Sequence, residues 1–175
     1  MSFDLNILCI NQKHVKNSLP KNIKIFAEIQ NSKPNDYPKY YGDYCPFMNS
    51  VNGMWYYLKS DLDNMSSFEL CDINDEAHCG GSIEELYPFW HREHDDIDVS
   101  IFKLRDEYRD DVLNTIKHFI NASPIKTIIF HSRYQTFEVE PEYIYGSMAY
   151  DRFLELLDSN RILFNTCYII RDTSI

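Results

Sequence analysis

Residues 104–130 read LRDEYRDDVLNTIKHFINASPIKTIIF, and this stretch decides the fold. Leu104, Tyr108, Val112, Ile116, Phe119 and Ile120 recur at steps of three and four, which places them on one stripe of a helix over 104–121. Acids crowd its first half, and Lys117 and His118 are expected in its last turn, a distribution that suits the helix dipole. Asn121 and Pro124 predict its stop. The four residues Thr127–Phe130 (TIIF) carry no charge and predict a strand buried on both faces, hence central in a sheet.

Strand-like runs lie on both sides of this unit. Asp4 to Ile10 (DLNILCI) predicts a buried strand. Ile23 to Ile29 alternates, with Ile23, Ile25, Ala27 and Ile29 expected on one face and Phe26 an apolar interruption of the other. Gly53 to Lys59 (GMWYYLK), Ile97 to Phe102 (IDVSIF) and Arg161 to Arg171 (RILFNTCYIIR) complete the strand candidates. Ser147 is a suitable N-cap for a second helix over 147–158, with Met148, Phe153, Leu154 and Leu157 inward. Strands and helices do not alternate strictly. The expectation is a single α+β domain over 1–175, with a mixed or mainly antiparallel sheet and two main helices packed on it.

Charge is distributed unevenly. Asp61 to Asp111 holds 16 carboxylates and 4 cationic side chains, a local net of −12 inside a chain total of −10. Everything outside it is slightly basic. The net charge of −10 repels nucleic acid and anionic membrane and attracts cationic surfaces. Within the stretch, Tyr87 and Trp90 are interleaved with Asp72, Asp75, Glu76, Glu93, Asp95, Asp96 and Asp98. Carboxylates steer a basic protein and aromatics anchor it, so these residues are the expected partner-binding surface. Tyr40, Tyr41 and Tyr44, in the proline-rich segment 31–52, are further anchor candidates or plain loop packing.

No motif names a reaction. Walker, dinucleotide-binding and Cys-x-x-Cys patterns are missing, and the chain has only five glycines. Cys71, His78, Cys79, His91 and His94 match no common zinc spacing. The run Asp95, Asp96, Asp98 supplies too few ligands for a hard cation by itself, and reads as a solvated charge run. No metal or cofactor is expected. His131, Arg133 and Gln135 follow the TIIF strand and share one face if the chain stays extended. They read either as a small-anion or hydrolase pocket or as a buried network that fixes the next loop. Met1 to Ile10 does not read as a signal peptide, and no apolar run reaches the length of a membrane span. The five cysteines are odd in number, with Cys9 and Cys167 inside apolar strands, as expected of free thiols in the cytoplasm.

The last 45 or so residues carry a resemblance. Phe130-His131-Ser132-Arg133-Tyr134-Gln135, Tyr145-Gly146-Ser147-Met148, Phe153-Leu154-Glu155-Leu156-Leu157 and Ile162 to Ile170 together resemble the small immunity proteins of bacterial contact-dependent growth inhibition and related polymorphic toxin systems. The resemblance implies a cytoplasmic protein without catalytic activity that neutralises a toxin domain, often a basic nuclease, through an acidic interface. It does not specify the toxin, and oligomeric state stays open.

Overall fold

A computed structural model describes residues 2–10, 19–20, 23–31, 51–60, 71–72, 102–135, 143–164 and 166–172. In chain order the elements are β1 (Ser2–Ile10), β2 (Ile23–Asn31), β3 (Gly53–Ser60), β4 (Cys71–Asp72), β5 (Lys103–Leu104), α1 (Asp106–Ala122), β6 (Thr127–Gln135), β7 (Tyr143–Ala149), α2 (Tyr150–Asp158) and β8 (Thr166–Arg171). Six strands form one sheet in the order β2-β3-β1-β6-β8-β7, and β4 pairs with β5 apart from it. All pairs in the large sheet are antiparallel except β7 with β8. A parallel pair needs a crossover, and α2 supplies it. This is the α+β domain with a mixed sheet that the sequence predicts.

The TIIF strand is central, between β1 and β8, as expected of an uncharged run. Helix α1 buries Tyr108, Val112, Thr115, Ile116, Phe119 and Ile120, which is the predicted stripe with Thr115 added and without Leu104, since Leu104 precedes the helix and pairs with Cys71 in β5. Thr115 is tolerated there because its hydroxyl donates to the Asp111 carbonyl at 2.7 Å. The helix runs to Ala122, so Lys117 and His118 lie one turn before its end and its last turn carries no base. Helix α2 buries Phe153, Leu156 and Leu157 against the same side of the sheet. There Phe130 meets Phe102, Phe153 and Tyr168 edge-on, with ring centroids 5.0 to 6.5 Å apart, and Tyr56 stacks on Phe119 at 4.5 Å. Leu8, Trp55, Ile129 and Cys167 form a second buried cluster on the opposite face. The sheet is therefore an inner layer, which explains why its strands read as apolar runs.

Four expectations are corrected. Ser147 caps no helix: it lies in β7 as the partner of Ile169, and α2 starts at Tyr150 after Ala149. Pairing of six β7 residues with β8 and the burial of Met148 outweigh one capping hydrogen bond. The pairing is made possible by Gly146, whose φ of +120° few L side chains adopt, at an irregularity between Ile144 and Gly146. The alternation of β2 is also broken. Its register shifts between Ile25 and Ala27, so Ile23 and Ile25 oppose Ser60 and Leu58 whereas Ala27 and Ile29 oppose Tyr57 and Trp55. Phe26 is thus the extra residue of a bulge. A bulge flips every later position to the other face. Cys71 and Asp72, which lie in none of the strand candidates and whose segment 71–81 reads as loop from its sequence, pair with Leu104 and Lys103. The polar residues after TIIF continue the strand to Gln135 and do not follow its end. Of the IDVSIF candidate, residues 97–101 lie outside the described residues; Phe102 is buried outside any strand and donates its N–H to the Ile162 carbonyl at 2.7 Å.

The turns are closed by local hydrogen bonds. Ser123 ends α1, donating its hydroxyl to the Ile10 carbonyl at 3.1 Å and accepting the Thr127 N–H at 3.3 Å. One side chain thereby ties the α1–β6 turn to the end of β1. Helix α2 ends with Asn160 at φ 54°, its N–H on the Leu157 carbonyl and the Arg161 N–H on the Leu156 carbonyl. This is the left-handed termination that Asn can adopt in place of Gly.

Candidate functional site

Two places were expected to carry function. The first is the polar half of β6. His131, Arg133 and Gln135 occupy alternate positions of one continuous strand, so the expected shared face is present in the backbone. His131 has Asn6 and Cys167 as its Cα partners on the two neighbouring strands, Arg133 has Asp4, and Gln135 has Ser2. Asn6, His131 and Cys167 are all fully buried. Ser132 lies on the opposite face, with its hydroxyl 3.4 Å from the Leu163 carbonyl, so it does not act with His131. The row Tyr57, Asn6, His131, Cys167, Ile144 crosses five strands through the middle of the sheet. A catalytic imidazole needs a proton path and a substrate within hydrogen-bond reach. In this setting His131 has the surroundings of a core residue.

The second place is the acidic stretch. Asp72 sits on β4 opposite Lys103. Asp75, Glu76, Tyr87, Trp90, Glu93, Asp95, Asp96 and Asp98 lie outside the described residues, as do Tyr40, Tyr41 and Tyr44 and, from the Cys/His group, His78, Cys79, His91 and His94. The C-terminal end of the stretch is described and forms the first turns of α1. Asp106, Glu107 and Asp110 are exposed there, and Asp111 is half-buried.

Helix α2 adds a second set. Asp151, Glu155 and Asp158 are exposed, at steps of four and three along its polar side. Arg109 of α1 bridges to Asp158, and the Lys117 ammonium lies 5.1 Å from the centre of the Tyr150 ring. These two contacts put the start of α1 beside the end of α2, and the later part of α1 beside the start of α2. The helices are antiparallel neighbours. Their polar sides together present six exposed carboxylates, with only Lys117 and Arg152 as exposed cations. Glu107, Glu155 and Asp158 are engaged by Arg105, Arg152 and Arg109. Asp106, Asp110 and Asp151 form no ion pair with another described residue. The α2 carboxylates escaped the sequence reading because residues outside 61–111 are basic in sum. Their spacing on the second amphipathic helix was the available signal.

Besides Arg152, whose bond to Glu155 favours its charged form further, two groups have displaced protonation equilibria. Burial pushes the Cys9 thiol up to about 12, and the thiol donates to the Phe119 carbonyl at 3.3 Å. Burial also pushes the Tyr150 phenol up to about 12, opposed in part by Arg109. Both changes favour the neutral form, and neither creates a nucleophile at neutral pH. Among the described residues no three His, Cys, Asp or Glu side chains gather as a metal site would need, and no helix is long and apolar enough to cross a membrane. Comparisons with protein-family models, curated proteins and solved structures gave no match.

Proposed function

We propose that the chain is a cytoplasmic, non-enzymatic immunity protein that binds and neutralises a cognate toxin domain, of basic nuclease type, through an acidic surface bearing aromatic anchors. The observation that carries this reading is the helical layer. Its six exposed carboxylates face solvent with two exposed cations among them, and three have no described ion pair. A nuclease holds phosphates with lysine and arginine, and an inhibitor of opposite charge gains association rate and selectivity. Asp72, Asp75, Glu76, Glu93, Asp95, Asp96 and Asp98, with Tyr87 and Trp90, extend the same surface in this proposal. The burial of His131 in the central strand favours binding over a His131, Arg133 and Gln135 pocket.

The test is co-expression with the C-terminal domain encoded by the neighbouring toxin-like gene. Rescue of growth, co-purification, and affinity that falls steeply with salt are expected. Absence of a complex at low salt, or turnover of a small substrate by the chain alone, contradicts the reading.

A further inference from the structure

We infer that Asn52 is a site of spontaneous deamidation, and that its isoaspartyl form loosens the seam between β1 and β3. The inference is independent of the partner reading above.

The chain holds one asparagine followed by glycine, Asn52-Gly53. Deamidation begins when the backbone nitrogen of the next residue attacks the side-chain carbonyl of the asparagine. Glycine presents the least hindered nitrogen and the freest backbone, so the ring closes most readily there. Two features of the fold favour the reaction. Asn52 is exposed and lies just before β3, so water and hydroxide reach its amide. Gly53 is the terminal pair of both ladders of β3, opposite Ile10 at the end of β1 and Asn31 at the end of β2. Fraying there breaks only end pairs, and strand ends open at small free-energy cost. Asn114 and Asn160 are also exposed but are held differently. Asn114 lies inside α1, and the N–H that follows Asn160, that of Arg161, donates to the Leu156 carbonyl at 2.8 Å.

The chemistry balances with water alone. Hydroxide removes the Gly53 N–H proton, the nitrogen bonds to Asn52 Cγ, and the Cγ–Nδ2 bond breaks. Ammonia leaves with a proton taken from water, which restores the hydroxide. Water then opens the cyclic imide. Opening at Cγ gives an ordinary aspartate and a further negative charge. Opening at the main-chain carbonyl leaves Gly53 joined through Cγ, so the backbone gains a methylene directly before β3. Gly53 has no room to absorb it: a Cβ there would already lie 2.5 Å from the Cys9 carbonyl oxygen. The lengthened backbone must push Gly53 against β1 or withdraw it from the end pairs of the sheet. The aspartate product keeps the backbone and carries its charge in solvent, where substitution costs little.

The test ages the full chain in mildly alkaline buffer, locates the modified asparagines by peptide mapping with mass spectrometry, and unfolds the separated forms in urea. Asn52 is expected to lose its amide at least about tenfold faster than Asn114 or Asn160 in the folded chain, because strand ends open far more often than helical segments. The isoaspartyl form should unfold at a lower urea concentration than the native chain. The Asn52→Asp chain, which has the charge without the methylene, should unfold with the native one. Asn52→Gln, whose longer side chain closes a larger ring far more slowly, should keep its amide. An intact Asn52 after ageing, matching rates at the three asparagines, or an isoaspartyl form as stable as the Asn52→Asp chain overturns the inference. Modification of Asn52 that proceeds only in urea does the same, since it shows that Gly53 stays closed in the fold.

Discussion

Gly53 and Gly146 are required for different reasons. A Cβ at Gly53 would lie 2.5 Å from the Cys9 carbonyl oxygen and 2.9 Å from Leu8 Cδ1, so β1 and β3 could not keep their spacing. A Cβ at Gly146 meets nothing within 4 Å, but the φ of +120° strains any L side chain. Gly53→Ala and Gly146→Ala should each cost about 1–3 kcal/mol, read from urea unfolding, the first from overpacking and the second from backbone strain. An unchanged midpoint in either variant contradicts the corresponding cause. Cys9 makes a pH prediction. Its thiol rises from an ordinary 9.0 to about 12 in the folded chain, so the folded state holds this proton more tightly than the unfolded state does. That contribution is complete below about pH 9 and is lost as pH climbs toward 12, at up to about 1.4 kcal/mol per pH unit. Tyr150, raised from 10.0 to about 12, acts in the same direction. Between about pH 8 and about pH 10.5, Cys9→Val should lose stability less steeply than the native chain. Equal slopes would show that the thiol is not shielded in the fold.

At the scale of elements, α1 owes its position to one apolar stripe. Phe119 is fully buried, stacks on Tyr56, and offers its carbonyl to Cys9. Phe119→Ala should cost about 3–5 kcal/mol, while the exposed Asn114→Ala stays within about 0.5 kcal/mol. Thermal unfolding of the two variants checks this, and a comparable loss in both would contradict the stripe. The Arg109–Asp158 bridge between helices is half-exposed, so its removal by Arg109→Ala is expected to cost no more than about 1 kcal/mol. The stripe of α1 and the TIIF strand were legible in sequence because period and composition alone define them. The register of β2 was not, because the bulge at Phe26 hides inside what reads as simple alternation. Strand β7 was misread for a related reason. Ser147 has the local chemistry of a helix cap, and only the distant pairing with Ile169 overrules it. His131 was legible as a polar residue beside a buried strand, but its full burial depends on β1 and β8, which no local pattern reveals.

At the scale of the whole molecule, the acidic stretch was legible as an excess of charge, and its continuation onto α2 was not, since tertiary packing brings the end of α2 at Asp158 beside the start of α1 and sets the polar sides of the two helices next to each other. Two helices thus add their carboxylates into one field, which reaches about 8 Å into a physiological salt solution. Reversing charge at Asp95 and Asp96 should weaken partner association and flatten its salt dependence if the 72–98 run shares in that field; binding unchanged in that variant would remove those residues from the interface. The most direct measurement is a calorimetric titration of the toxin-like domain into the native chain and into an Asp106→Lys, Asp110→Lys, Asp151→Lys variant, at low and physiological salt. The account predicts that the variant binds at least about tenfold more weakly at low salt and loses most of the salt dependence, with unfolding midpoints close to those of the native chain. Equal affinity and equal salt dependence in the two proteins would contradict it.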